Sequence, residues 1–350
     1  MRRTTTALLA LTAGLALTLS ACSAGGAPTD GGSASSAPLA STVRIVSGGS
    51  ESFSDAAINK ATELLAAEGV TVDASLVDDP ATALRAVVSG QADVALLDPV
   101  EAIKAVANGD APVKYIASLS QTTDYVVIAL PGVSLKDLAG KTFATAGAGT
   151  AGDVIASAAL AESNVDMSQV QKVTVGGTSA RLTAILAGQV DLAPVHAPDA
   201  APAIATGKVK LLLNAGKVLG SYLQQGLIAS DTWLQDKATA QAVVNAFIDA
   251  ERWASANQKE YVAMAKANDL LGDLTDDDAL AGWQELKDGK IFATNGAICE
   301  DAVNDTLKHD YEVPDGGLTP DTTPAYDKWV DPTFVDAYLD KNDKDADGFC

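Results

Sequence analysis

The residues best suited to chemistry lie in a few short polar or glycine-rich stretches, not in a catalytic signature. In "TAGAGTAGD" (145–153) glycines stand directly before a helical pattern, an arrangement that aims free amides and a positive helix end at an oxyanion. Gly149 and Thr150 are the candidate contacts there, for a sulfonate, nitrate or carboxylate. In "SGGSESF" (47–53) the glycines let backbone N–H groups approach a ligand, with Ser50, Glu51 and Ser52 beside them and Phe53 able to stack. Gln121 and Thr122 in "ASLSQTTDY" (117–125) offer hydrogen bonds, and Tyr125 and Trp233 could frame an aromatic compound. Asp98 and His196 each stand five residues beyond the aspartate of a repeated phrase, "SGQADVALLDP" (89–99) and "AGQVDLAPVHA" (187–197). Equivalent positions at strand ends predict that both face one cleft from opposite sides.

These residues do not assemble into a known reaction centre. "GAGTAG" lacks the Lys-Ser/Thr pair of a phosphate-binding loop, and no "GxSxG" elbow exposes a serine to His196. His196 and His309 are the two histidines, no Cys/His cluster could hold zinc, and neither cofactor nor metal is expected. The tail "DKNDKDADGFC" (340–350) opens like a calcium loop but stops short of the glutamate that would complete one, so it reads as a solvated acidic terminus. No arginine stands in the proposed ligand loops, which weakens a bidentate anion clamp.

The elements that must carry these loops alternate regularly. Strand patterns at 42–48, 70–77 and 92–97 enclose helical patterns at 54–69 and 80–88, which signals a parallel sheet covered on both faces. The plan recurs as strands at 141–147, 170–176 and 190–195 around helices at 151–163 and 179–188. Aligning 81–95 with 179–193 gives six identities in fifteen, which favours two lobes of like architecture over chance convergence.

Arg2 and Arg3 precede an apolar run, Ala7 to Leu19, of secretory-signal length. The following "LSAC" ending at Cys22 resembles the lipobox of bacterial lipoproteins, in which that cysteine carries the lipid anchor. Residues 22–42 then read as a small, polar tether. Cys299 and Cys350 remain, paired in an oxidising space or standing as inert thiols. Net charge is −21, and residues 269–350 hold 21 of the 45 acids against six bases, so nucleic acid finds no basic surface.

The order of "GQADVA", "DLAGKTFA", "GQVDLA", "FIDAERWASANQKEY" and "DPTFVDAYL" over roughly 43–340 resembles the extracytoplasmic solute-binding subunits of ABC importers. The branch is the nitrate, sulfonate, taurine and thiamine-pyrimidine-precursor group. The resemblance implies an α/β chain of two similar βαβ lobes with parallel-rich sheets around a hinge and cleft (periplasmic-binding-protein type II), plus C-terminal helices. Boundaries follow as a signal peptide (1–21), an anchored linker (22–42), lobe 1 (43–125), lobe 2 (126–222), a return with C-terminal helices (223–340) and an acidic tail (341–350). The implied role is a monomeric, membrane-anchored, extracytoplasmic receptor that passes a small solute to an ABC permease. A tethered sensory protein or a pyrimidine-synthase-like enzyme are the alternatives on the same fold.

Overall fold

Among the described residues, β-branched and aliphatic runs of bounded length make ten strands, and alanine-rich periodic segments make the helices between them. The computed structural model describes residues 38–48, 51–77, 79–313 and 317–350. The signal run, Cys22, Ser50 and most of the tether lie outside them. The end of that tether is already engaged, since the Ala40 N–H donates to Thr239 Oγ1 at 2.8 Å.

The first sheet holds β1 (Thr42–Gly48), β2 (Thr71–Val77), β3 (Val94–Leu97), β4 (Val113–Ser118) and, from much later in the chain, β10 (Gly226–Ser230). Its order is β2-β1-β3-β10-β4. The second holds β5 (Tyr125–Ala129), β6 (Thr142–Thr145), β7 (Gln171–Thr174), β8 (Leu192–His196) and β9 (Lys210–Asn214), in the order β7-β6-β8-β5-β9. The two orders are one pattern written twice, with β10 and β5 in corresponding places. Each is antiparallel to both neighbours, so the sheets are mixed but parallel-rich, as expected, with these two strands as the antiparallel members.

Around the first sheet lie α1 (Ala56–Ala67), α2 (Pro80–Val88) and α3 (Pro99–Gly109), and around the second α4 (Ala151–Glu162), α5 (Thr178–Leu186), α6 (Ala197–Ala205) and α7 (Ala215–Leu219). The return to the first sheet adds α8 (Lys237–Ala256), α9 (Gln258–Ala267), α10 (Asp276–Asp288), α11 (Glu300–Asp310), α12 (Tyr326–Trp329) and α13 (Thr333–Leu339). Local chemistry fixes several starts. Asp79 accepts from the Ala81 N–H ahead of Pro80, and Thr275 and Asp278 form a reciprocal capping box at α10. Ala302, Val303 and Leu307 of α11 are buried in the core of the first sheet, whereas Val154, Ile155 and Leu160 of α4 belong to the core of the second.

The repeated phrase is a register lock. Gly90 and Gly188 end α2 and α5 with φ of +72° and +71°, a left-handed turn that a Cβ would strain. Asp93 then accepts from the Arg44 N–H at 2.8 Å, and Asp191 from the Thr142 N–H at 2.8 Å, each carboxylate pinning the strand beside its own. Asp93 adds an ion pair with Arg44 at 2.6 Å, while Asp191 takes the Thr142 hydroxyl at 2.8 Å.

Two chain segments, 119–124 and 220–225, carry the crossings between sheets and are bonded side by side. The Leu119 N–H donates to the Gln225 carbonyl at 2.8 Å, Tyr222 N–H to the Gln121 carbonyl at 3.1 Å, and Gln224 N–H to Ser120 Oγ at 2.9 Å. Two short crossing segments side by side are the usual place for a hinge between lobes.

The C-terminus closes onto this crossing. Gln121 donates from Nε2 to the Asp347 carbonyl at 2.8 Å and accepts the Phe349 N–H at 2.6 Å, and Cys350 is disulfide-bonded to Cys299 with their Cα atoms 5.7 Å apart. The expectation of a solvated terminus is therefore corrected for the backbone, although the acidic side chains of Asp343 and Asp347 stay exposed. Among the described residues, no helix is long and apolar enough to cross a membrane.

Candidate functional site

The carboxyl ends of β1 and β8 and the first crossing segment bring one polar cluster together. Asp124, the only charge in 117–125, is the last residue before β5 and is nearly fully buried. Its carboxylate accepts the Ser54 hydroxyl at 2.5 Å from the turn leading into α1. From the other lobe, His196 Nδ1, at the end of β8, lies 2.9 Å and 3.0 Å from its two oxygens. One carboxylate thus joins both lobes and the crossing.

Electrostatics makes that contact an ion pair. Burial works against both charged forms, but their mutual attraction and hydrogen bonding outweigh it. The Asp124 carboxyl is held below its usual range, and the His196 imidazole well above its own. The Tyr125 ring lies beside the imidazole at 4.5 Å between centroids, tilted 34°. Gly152, early in α4, makes room for that ring, since a Cβ there would meet Tyr125 atoms at 3.2 Å.

Further carboxyls surround the pair. Burial raises Asp55 to about 6, against the attraction of His196. Asp199 in α6 is raised by burial and by Asp124, with His196 opposing. Glu251 in α8, buried and close enough to Asp55 to be repelled by it, is raised well above the usual carboxylate range. A cavity of about 170 Å³ beside α1 and β1 is lined by Ser47, Glu51, Asp55, Asn59 and Leu96, among others.

The sequence candidates divide sharply on this geometry. His196 is in the cluster, and Glu51 opens on the adjoining cavity. Ser52 caps the turn at 53–55, its N–H reaching Asp55 at 2.7 Å. Phe53, expected to stack on a ligand, has its side chain fully buried against Tyr261, with ring centroids 5.3 Å apart. Gln121 grips the C-terminal segment, and Thr122 donates to the Gly289 carbonyl at 2.7 Å, so both fasten the crossing.

Asp98 is indeed the counterpart of His196, each being the residue that starts the helix after its strand. Its carboxylate, however, accepts the Val100 N–H at 2.7 Å, and its charged neighbours are Asp310, Glu101 and Lys104 rather than the His196 cluster. The expected amide cradle is also occupied from within. The Gly149 N–H donates to Asp153 at 3.0 Å, Thr150 Oγ1 donates to the Gly147 carbonyl at 2.9 Å, and Asp153 is paired with Lys172 at 2.9 Å. Trp233 follows β10, whose reversed direction carries it to the sheet end opposite β3's carboxyl end.

Ser54, Asp55, Asp124 and Asp199 went unread. A lone charge bounded by Thr122, Thr123 and an apolar strand was the available signal for Asp124. The others are unremarkable in sequence and become a group only when the lobes meet.

Comparison with known proteins gives a consistent picture. The family model described as NMT1/THI5 like matches residues 58–261. No curated protein sequence matches the chain significantly. Among solved structures, one from Bordetella bronchiseptica RB50 is similar at 22% identity and a TM-score of 0.69, over 86% of this chain and 98% of that one. The periplasmic nitrate-binding protein NrtA from Synechocystis PCC 6803 is similar at 15% identity and a TM-score of 0.70, over 89% and 91%. The alkanesulfonate-binding protein SsuA from Xanthomonas axonopodis pv. citri, bound to MOPS, is similar at 16% identity and a TM-score of 0.66, over 84% and 99%.

Proposed function

Because this chain belongs to the NMT1/THI5-like family, we propose that it is the solute-binding subunit of an ABC importer, closing its two lobes around a small molecule for delivery to a permease. The observation that carries the proposal is the meeting of Ser54 from one lobe and His196 from the other on Asp124 of the crossing segment. A ligand that engages groups from both lobes stabilises the closed state specifically, and only such differential binding can shift the lobe equilibrium. The proposal includes a lipid anchor at Cys22, an extracytoplasmic location and a monomeric state.

Of the two solute classes the sequence suggests, the geometry favours a heteroaromatic hydrogen-bond donor of the pyrimidine-precursor kind over a free oxyanion. Asp55, Asp124 and Asp199 present acceptors, and the charges acting on Asp199 are His196 and Asp124, with no lysine or arginine among them. The amide that would have met an oxyanion already serves Asp153. Tyr125 and His196 supply flat surfaces beside the acceptors. A binding role also fits better than catalysis: Ser54 donates to Asp124, whose lowered carboxyl pKa makes it a weak base, and not to the histidine.

The test is a thermal-shift screen followed by calorimetry with hydroxymethylpyrimidine, taurine, short alkanesulfonates and nitrate. The expected result is a rise in melting temperature with the pyrimidine, growing with concentration by mass action. A shift with nitrate or sulfonates alone would overturn the solute class, and no shift with any of them would remove the transport reading.

A further inference from the structure

Away from the cleft, we propose that Glu162, His309 and Glu312 form a binding site for a divalent transition metal of the zinc class that clamps α4 to α11. One ligand atom from each of the three lies within 4.8 Å of the others. His309 is 7% exposed, and its Nδ1 has no hydrogen-bond partner among the described residues. The other ring nitrogen, Nε2, is 3.1 Å from the Leu219 carbonyl. A carbonyl can only accept, so Nε2 carries a proton, and in the neutral ring Nδ1 is then the lone pair. Fixing the ring by a hydrogen bond at one nitrogen is how proteins orient a histidine that binds metal with the other.

The lone pair points to where two carboxylates are. His309 Nδ1 lies 3.4 Å from Glu162 Oε1. Two ligand atoms of a tetrahedral zinc centre with bonds of about 2.1 Å stand roughly 3.4 Å apart, so this pair already has the spacing of one edge. Glu312, exposed on the turn after α11, offers a carboxylate oxygen within 4.8 Å of the other two as the third ligand, leaving a fourth position for water.

The backbone adds a field of the right sign. Glu162 is the last residue of α4 and His309 lies in the last turn of α11, so two helix carboxyl ends direct their negative poles at this point. Two acids placed where helix dipoles disfavour them are stabilised by a cation. One imidazole and two carboxylates suit zinc and its neighbours, whereas calcium prefers an all-oxygen shell. Sequence inspection expects no metal because it finds no Cys/His cluster, and Glu162 stands 147 positions before His309. Since α4 packs in the core of the second sheet and α11 in that of the first, the ion would tie the lobes together beside their crossing.

The experiment strips the full-length protein with a chelator and titrates zinc ion alone, by calorimetry and by competition with a chromophoric chelator. Cobalt(II) absorption reports a nitrogen-containing, low-coordinate site. One ion per chain is expected, with at least tenfold weaker binding in Glu162→Gln and in Glu312→Gln, and with calcium failing to compete. Both glutamates are exposed, so their variants should fold, which unchanged circular dichroism will verify. Zinc binding undiminished in the Glu162→Gln/Glu312→Gln double variant, or lost instead in Asp345→Asn of the acidic tail, would overturn the proposal. Absence of saturable binding in the stripped wild-type protein would do the same.

Discussion

Replacing Asp310 by Asn should flatten the dependence of stability on pH. Asp310 ends α11 in a buried position, with Tyr222 donating its hydroxyl to Oδ1 at 2.5 Å and with Oδ2 lacking any partner among the described residues. Burial raises its carboxyl from 3.8 to about 7, against the Tyr222 hydrogen bond and the attraction of Lys104. Asp98 faces it and is itself raised by burial and by Asp310, with Glu101 adding repulsion. The folded protein therefore holds a proton that the unfolded chain releases near pH 4. Stability is full below that pH, falls as pH rises, and levels off above about 7. A shift of about three units corresponds to roughly 4 kcal/mol, of which the coupled pair and local relaxation leave a few. Asn keeps an acceptor for Tyr222 but cannot ionise. Urea or thermal unfolding of wild type and D310N between pH 4.5 and 8.5 should give similar stability at the acid end. At pH 8.5 the variant should be more stable by about 2–4 kcal/mol, or several degrees in melting temperature. Parallel pH profiles for the two proteins would refute the reasoning.

Asp124→Asn should abolish measurable solute binding by calorimetry. It should also destabilise the protein by about 3 kcal/mol near pH 6, where it leaves the His196 imidazolium buried without its partner, and by less near pH 9, where the imidazole can deprotonate. Cys299→Ser/Cys350→Ser, or reduction of the wild-type protein, should lower stability by about 4 kcal/mol, because the bridge closes a loop of 51 residues. Urea midpoints measure that loss, and unchanged midpoints would mean that the C-terminal segment is held by its non-covalent contacts, those with Gln121, Asn295 and Arg252 among them.

What could be read from sequence followed from local periodicity. The helix starting at Pro80 runs to Val88 as expected, because Asp79-Pro80 is a helix start and Gly90 a stop whatever surrounds them. The shared "GQxD" was legible as a repeat, and its structural content, an aspartate bonded to the strand 49 positions earlier in both copies, follows the same spacing. Strand direction was not legible. "YVVIA" and "GLIAS" are apolar runs with no polarity of their own, and only the long-range exchange of β5 and β10 makes them antiparallel.

The candidate site shows where such reading stops. Glycine-rich turns advertise free amides, yet Asp153, four residues after Gly149, consumes the very amide that the turn exposes. Gln121 and Thr122 are of ligand-binding type and in the right segment, but their partners come from beyond residue 288, so they fasten rather than recognise. The residue that does join the lobes, Asp124, stands two positions after Thr122. Its role depends on bonding at once to Ser54, 70 positions earlier, and to His196, 72 positions later. Residue type selects what a side chain can do, whereas the crossing of the chain between two sheets decides which of several eligible neighbours is free to do it. In a two-lobed binding protein the crossing is therefore the place where a polar residue without local duties most repays mutation.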